Sequence, residues 1–312
     1  METYLVTGGA GFIGSNIAER LLKAGSRVRI IDNFMTGKRE NIEPFLSDIE
    51  LIEGDIRNMK DVKKAVAGVD YILHQAAMRS VPKSVDNPAL TNEINVEGTL
   101  NVLVAAKEAK VKRLVYASSS SVYGECEVFP EREDFVPRPI SPYAVSKLAG
   151  EHYAYTFSKT YGLETASLRY FNVFGPRQNP ESKYSTVIPA FVTRMMAGKA
   201  PTVEGSGTQT RDFTYVDNVV QANLVAAKAD GASGEVFNIA CGNSFSVLDI
   251  VKELNKFLGS DIKPDFAPPR RGDVQKTIAD ISKMKRILGI KPKVEFAQGL
   301  KKTLEWWQTR PS

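Results

Sequence analysis

The sequence predicts a doubly wound α/β fold, an open parallel sheet with helices on both faces, followed by a smaller helix-rich lobe. Three observations predict it. Short apolar runs alternate with amphipathic helical runs through the N-terminal half. A glycine triad separates the first apolar run from the first helix, and an aspartate ends the second apolar run. Strands alternating with helices are the pattern of parallel βαβ units.

Residues 3–7 (TYLVT) form a short apolar run bounded by glycines, which reads as a buried strand. GGAGFIG follows, with Gly8, Gly11 and Gly14 at G-x-x-G-x-x-G spacing, and NIAERLLKAG runs at helical period to Gly25. RVRIID (27–32) is the next strand. This unit suits a dinucleotide. A pyrophosphate sits against backbone N–H groups at a helix N-terminus, here those of Gly11, Phe12 and Ile13, and side chains in the turn would block its approach. Asp32 closes the second strand 18 residues after Gly14, with Asn33 beside it. A carboxylate there accepts from a ribose 2′-hydroxyl and repels a 2′-phosphate, so NAD is favoured over NADP. Lys38 and Arg39 act against that preference.

The alternation continues with a strand at 49–55, a helix at 62–68 and a strand at 69–77. Strand C-termini of a doubly wound sheet face the ligand crevice. Asp55, Ile56, Gln75, Ala76 and Ala77 are therefore candidates to touch adenine and ribose. His74, inside an apolar run, reads as a core histidine. Residues 88–111 predict one long helix, apolar on more than one face, with Asn95 directed toward the cofactor. RLVYASS (113–119) leads into the hydroxyl cluster Ser118–Ser121. Tyr143 and Lys147 follow at i, i+4 spacing, so they stack on one face of a helix that ends at Gly162.

Beyond a strand at 164–176 the pattern becomes irregular. Helices are predicted over 184–199, 214–229 (capped by Thr214 or Asp217), 246–259 and two short C-terminal runs, with a strand at 235–240. The expected division is 1–172 plus about 214–241 for the dinucleotide domain, and 173–213 plus 242–312 for the second lobe.

Composition narrows the function. At 312 residues, with 43% hydrophobic and 25% charged residues, the chain has the balance of a soluble globular protein. No apolar run reaches the length of a membrane span, and the N-terminus enters a strand at once, without a signal peptide. Cys126 and Cys241 are too few and too far apart to staple a fold, which points to a reduced, cytoplasmic protein. No Cys/His spacing fits a metal. The net charge of +5 suits a polyphosphate ligand, but the chain lacks the basic runs of a nucleic-acid binder.

GGAGFIG, Asp32, the serine strand end, Tyr143-x-x-x-Lys147 and RYFNVFGP together resemble the extended short-chain dehydrogenase/reductase superfamily. Within it the chain is similar to nucleotide-sugar epimerases of the UDP-galactose 4-epimerase type. AAMRSVPKSVDNP (76–88) and SPYAVSK look most like the UDP-N-acetylglucosamine branch. The resemblance implies a Rossmann domain with tightly bound NAD. It implies Tyr143 as acid/base, Ser119 as the catalytic hydroxyl, and Lys147 and Tyr170 at the cofactor. The 4-hydroxyl proton would pass to Tyr143 while hydride is lent to NAD and returned to the other face of the sugar. Ser80, Ser119, Ser120, Ser121, Tyr143, Asn172, Val187, Arg211, Arg270, Asp273 and Thr277 fall on substrate positions. Related dehydratases and decarboxylases carry acidic residues where this chain has Ser120 and Ser121, which favours epimerisation. Uronate epimerases more often look like RYFTV where Asn172 stands here. Thr277 matches a size gate beside the sugar 2-substituent and leaves room for N-acetyl. The resemblance also implies a homodimer joined through a four-helix bundle of 88–110 and 143–161.

Overall fold

The computed structural model describes residues 1–180, 187–269 and 274–310. Strands β1 (Thr3–Thr7), β2 (Arg27–Asp32), β3 (Ile49–Glu53), β4 (Tyr71–His74), β5 (Arg113–Ser119) and β6 (Glu164–Tyr170) join Glu235–Ile239 in one parallel sheet. Its order is Glu235–Ile239, β6, β5, β4, β1, β2, β3. The chain winds outward in two directions from the β1–β4 boundary. The crevice at the C-terminal ends of the strands opens there.

Helices cover both faces. α1 (Phe12–Lys23) packs with Val216–Ala226 on one side. On the other lie α2 (Met59–Val66), α5 (Gly98–Glu108) and α6 (Pro142–Tyr161), with α3 (Val81–Asp86) and α4 (Pro88–Asn92) set against α6. Two apolar cores follow, one around Ile17, Ile30 and Val219, the other around Ile72, Val102 and Leu114. β5 is buried along nearly its whole length, as a parallel strand covered on both faces must be. The C-terminal segments bring together Phe174, Phe213, Phe245 and Phe296, whose rings stack or meet edge to face.

Three sequence expectations change. The helix predicted over 88–111 is interrupted: a π turn at Glu93–Glu97 lies between α4 and α5. A π turn holds one extra residue, which hydrophobic periodicity does not register. Thr214 and Asp217 do not cap the helix Val216–Ala226. Thr214 lies in a short strand and Tyr215 takes the cap position without a side-chain bond, while Asp217 faces the positive helix end in the first turn. The helix predicted over 184–199 is Val187–Met196 among the described residues. By contrast, 246–259 forms as expected (Val247–Leu258). Ser246 and Asp249 make a reciprocal capping box and Gly259 takes the left-handed C-cap.

His74 ties the layers together from the end of β4. Its Nδ1 is 2.6 Å from Thr7 Oγ1 on β1, and its Nε2 is 3.0 Å from Thr99 Oγ1 on α5. Thr99 donates its hydroxyl to Asn95 O (2.6 Å), so it accepts from Nε2–H, and Nδ1 accepts from Thr7. The neutral ring fills both bonds. A second proton has no partner, and burial holds the imidazole down at about 3.

Because the folded value lies below the unfolded one, this stabilisation is present above about pH 6.5 and is lost as pH falls. We expect His74 to withdraw about 2 kcal/mol of stability between about pH 7 and pH 5. Glu131 and Asp212, raised by burial to about 7 and about 6, act with the opposite sign, so the wild-type curve alone mixes the effects. Urea unfolding of wild type and His74→Gln at both pH values isolates the group. A stability difference that stays constant with pH would refute the assignment.

Candidate active site

The cofactor end is built by the glycine turn. Gly8 has φ +68, and a Cβ there would stand 2.8 Å from the Ala76 backbone. A Cβ on Gly14 would stand 2.2 Å from Gly8 O. Side chains are therefore excluded where a dinucleotide approaches. Gly11 caps α1 without a side-chain bond, so the N–H groups of Phe12 and Ile13 face a region shaped for an anion. Asp32 is buried at the end of β2, its carboxylate accepting from Ala10 N (2.9 Å) and Phe34 N (2.8 Å). These two bonds fix its orientation and leave lone pairs for a ribose diol. Lys38 and Arg39 pair with Glu40 and Glu53 instead of flanking Asp32 with free positive charge. The residues present fit NAD.

Asn33 donates to Asp55 (2.8 Å), and Arg57 holds the Asp55 carboxyl down at about 2. Ile56 packs on Gly98, where a Cβ would come within 2.6 Å of its side chain. Ala76 N donates to Thr7 Oγ1 (3.1 Å) and Ala77 follows it in the same loop. Gln75 and Tyr170 bond each other (3.1 Å), and both bond Asn223. Asn95 sits at the π turn with both amide protons used: it accepts from Met78 N (2.7 Å) and donates to Met78 O (3.1 Å) and Ser146 Oγ (2.9 Å). It clamps the 76–80 loop to α6.

Ser119, Tyr143 and Lys147 converge. Ser119 ends β5, and its Oγ accepts from Ser121 N (3.2 Å) and Ser121 Oγ (2.9 Å) and is hydrogen-bonded to the Tyr143 hydroxyl. Ser120 opens the short 3-10 turn Ser120–Tyr123. Ser141 caps α6 and Pro142 takes its first position, so Tyr143 lies in the first turn, with its N–H donated to Ser84 Oγ (3.0 Å). Lys147, one turn on, is 4% exposed and donates to Ala117 O at 2.9 Å. Its Nζ lies 6.0 Å from the Tyr143 ring centre. Gly150 makes this possible: a Cβ there would stand 2.2 Å from the Tyr116 hydroxyl, so only glycine lets α6 lie this close to β5.

Burial raises the Tyr143 phenol, and the Ser119 hydrogen bond and the charge of Arg79 oppose it. Burial pulls the Lys147 ammonium down to about 7, opposed by Glu151. Arg79, one residue before the helix cap Ser80, escaped the sequence reading because no local pattern marks it. Glu151 escaped it too, although its i+4 offset from Lys147 is visible.

Tyr170 pairs in register with Ser119, so Asn172, two residues on, emerges beside the catalytic strand end. It adopts φ +34, a backbone conformation most side chains avoid. Its amide donates to Asp212 O (3.2 Å) and Thr277 Oγ1 (3.1 Å), and Asp212 N also approaches that hydroxyl (3.3 Å). Arg211 lies on a short strand paired with Phe245–Ser246. Val187 opens its helix. Arg270 and Asp273 lie outside the described residues. Among the described residues no group of acidic, His or Cys side chains could hold a metal, and no helix is long and apolar enough to cross a membrane.

Known proteins share this arrangement along its full length. A putative UDP-glucose 4-epimerase of Methanocaldococcus jannaschii is 40% identical over 308 residues, 97% of each chain. The UDP-N-acetylglucosamine 4-epimerase of Methanobrevibacter ruminantium M1, solved with UDP-N-acetylmuramic acid, superposes with a TM-score of 0.94 at 37% identity, covering 99% of this chain and 98% of that one. The UDP-glucuronic acid 4-epimerase of Bacillus cereus, solved with UDP-glucuronic acid and NAD, gives 0.91 at 35%, covering 98% and 99%. The profile of the NAD dependent epimerase/dehydratase family matches residues 4–240. With its glycine turn, its Asp32 and its Tyr143–Lys147 pair on one sheet edge, this chain belongs to the NAD-dependent epimerase/dehydratase family.

Proposed function

We propose that the protein is a UDP-sugar 4-epimerase acting on N-acetylhexosamines, with UDP-glucose and UDP-galactose as further substrates. The observation that carries this reading is the Ser119–Tyr143–Lys147 convergence, with Ser121 as the second hydroxyl on Ser119. A dehydratase needs a carboxyl group beside the catalytic hydroxyl to handle the proton of elimination. Here Ser120 and Ser121 occupy those places, and Ser121 donates to Ser119.

NAD, held by the glycine turn and Asp32, would supply the hydride acceptor for C4 and the donor for its return. The protein moves the proton. The Tyr143 phenolate takes the 4-hydroxyl proton, and Ser119 aligns the phenol against that hydroxyl. Lys147, fixed on Ala117 O, presents its charge to the nicotinamide ribose and to the phenol. Tyr143 then gives the proton back once the 4-keto sugar has turned. Residues 173–213 and 242–310 hold the nucleotide, with Arg211 on its phosphates and Thr277 beside the 2-substituent. Two copies pair through 88–110 and 143–161, where Val145 and Tyr155 lie exposed.

A uronate substrate is the second reading. It is favoured by Arg79, whose charge reaches Tyr143 and which makes no hydrogen bond or ion pair with another described residue. A sugar carboxylate would complement it.

Tyr143→Phe should fold, keep NAD and lose epimerisation by roughly a thousandfold or more; turnover within a few-fold of wild type overturns the acid/base role. Thr277→Tyr should cost UDP-N-acetylglucosamine at least about tenfold more than UDP-glucose in kcat/KM. Thr277→Val, which removes the hydroxyl without adding bulk, should affect both alike. Equal losses on both sugars in Thr277→Tyr would remove the gate. Product analysis with UDP-glucuronate decides the second reading, and a 4-keto-6-deoxy product from UDP-glucose or UDP-N-acetylglucosamine would overturn the epimerase assignment.

A further inference from the structure

Behind the catalytic helix lies a charge cluster that the reaction does not touch. Glu151 on α6 and Arg169 on β6 are each 4% exposed at the side chain and form a bidentate pair: Nε to Oε1 at 2.9 Å and Nη2 to Oε2 at 2.8 Å. Ser118 Oγ donates to Oε1 at 2.5 Å. The remaining face of Arg169 lies over the Tyr123 ring, 4.7 Å from its centre, and Tyr123 donates to Asn238 on the last strand of the sheet. Two neighbouring strands, β5 and β6, therefore converge on one carboxylate.

That carboxylate stands one helical turn from Lys147, at the i+4 spacing where a lysine and a glutamate ordinarily pair. They do not pair here. Lys147 instead reaches Ala117 O, and both Glu151 oxygens are taken. A buried ion pair is weak evidence for stability, since apolar residues of similar volume often serve as well. Its placement needs another explanation.

We propose that Arg169 and Ser118 occupy Glu151 so that Lys147 is reserved for the cofactor ribose and the Tyr143 phenol, which makes Glu151 and Arg169 positioning residues for the catalytic lysine. This rests on the role given to Lys147 above. The other groups facing Lys147 are Tyr143 on α6, Tyr116 and the Ala117 carbonyl on β5 and the neutral His74 on β4, with Arg79 beyond Tyr143. None of these is a carboxylate, so Glu151 is the negative group that opposes the effect of burial on the lysine.

The signs follow. In Arg169→Gln the freed carboxylate pairs with Lys147 and raises its titration. In Glu151→Gln the uncompensated guanidinium lowers it. The double variant removes both and returns it close to wild type.

The test is an NMR titration of the holoenzyme carrying lysine labelled at Cε, with the Lys147 signal assigned through Lys147→Met. Shifts in opposite directions, on the order of one pH unit, with return in the double variant, are expected. Ser118→Ala, which leaves no charge unpaired, should give a smaller upward shift, so the test stands even if both single variants fail to fold. Unmoved titrations, or a double variant that stays displaced, overturn the proposal. The alkaline limb of kcat for UDP-sugar turnover is recorded alongside. If the lysine titration moves and that limb does not, the role of Lys147 in the reaction fails while the charge arrangement stands.

Discussion

The site depends on how closely one helix lies on one strand. α6 crosses β5 at Gly150, where the Tyr116 hydroxyl fills the space any side chain would need. That approach brings Lys147 over the strand far enough to reach the Ala117 carbonyl, and it sets Tyr143, one turn earlier, against Ser119. The cost is a buried ammonium. Nothing in a lysine favours such a place, and its titration falls to about 7 as a result. The neighbouring charges can be understood as arrangements around that one cation.

Two of those arrangements pull in different directions. His74 must stay neutral, since its two threonine partners leave no acceptor for a second proton and Lys147 is close enough to disfavour one. Glu151 bonds Arg169 and Ser118 and not the lysine. The sheet supplies both: Thr7 arrives from β1, Ser118 from β5 and Arg169 from β6. Parallel strands bring their C-terminal ends to the same edge, so residues distant in sequence supply adjacent groups. The network is not complete: Arg169 Nη1 is buried without a hydrogen-bond partner and lies on the side of the Tyr123 ring.

What was legible in the sequence followed from local rules. The βαβ opening and Gly259 as a helix stop each rest on a few adjacent residues, and the structure places them as read, whereas the strands read over 69–77 and 164–176 end at His74 and Tyr170. Tyr143 and Lys147 were legible because helical spacing stacks them. The π turn at Glu93–Glu97 was not, because a one-residue insertion leaves hydrophobicity intact while shifting every side chain after it. Asn95 lies within that turn, where its amide bonds Met78 and Ser146. Arg79 was silent for a different reason. Its meaning comes from the fold that brings the 76–80 loop beside α6, and no periodicity encodes that.

The substrate end shows how the two lobes are coupled. Asn172 leaves β6 next to Ser119, and its strained backbone is stabilised by two bonds to the second lobe, one to Asp212 O and one to Thr277 Oγ1. Asp212 in turn accepts from Cys241 N, Gly242 N and Ala279 N, and Glu131 from Ile278 N, so the segment bearing Thr277 is held from both sides by buried carboxylates. A sugar that must turn over during the reaction needs a pocket whose walls keep their place while it moves. Thr277, proposed above as the residue beside the sugar 2-substituent, also uses its hydroxyl structurally. It is a joint between Asn172, beside the end of β5, and Asp212, and a change of its size changes that joint as well.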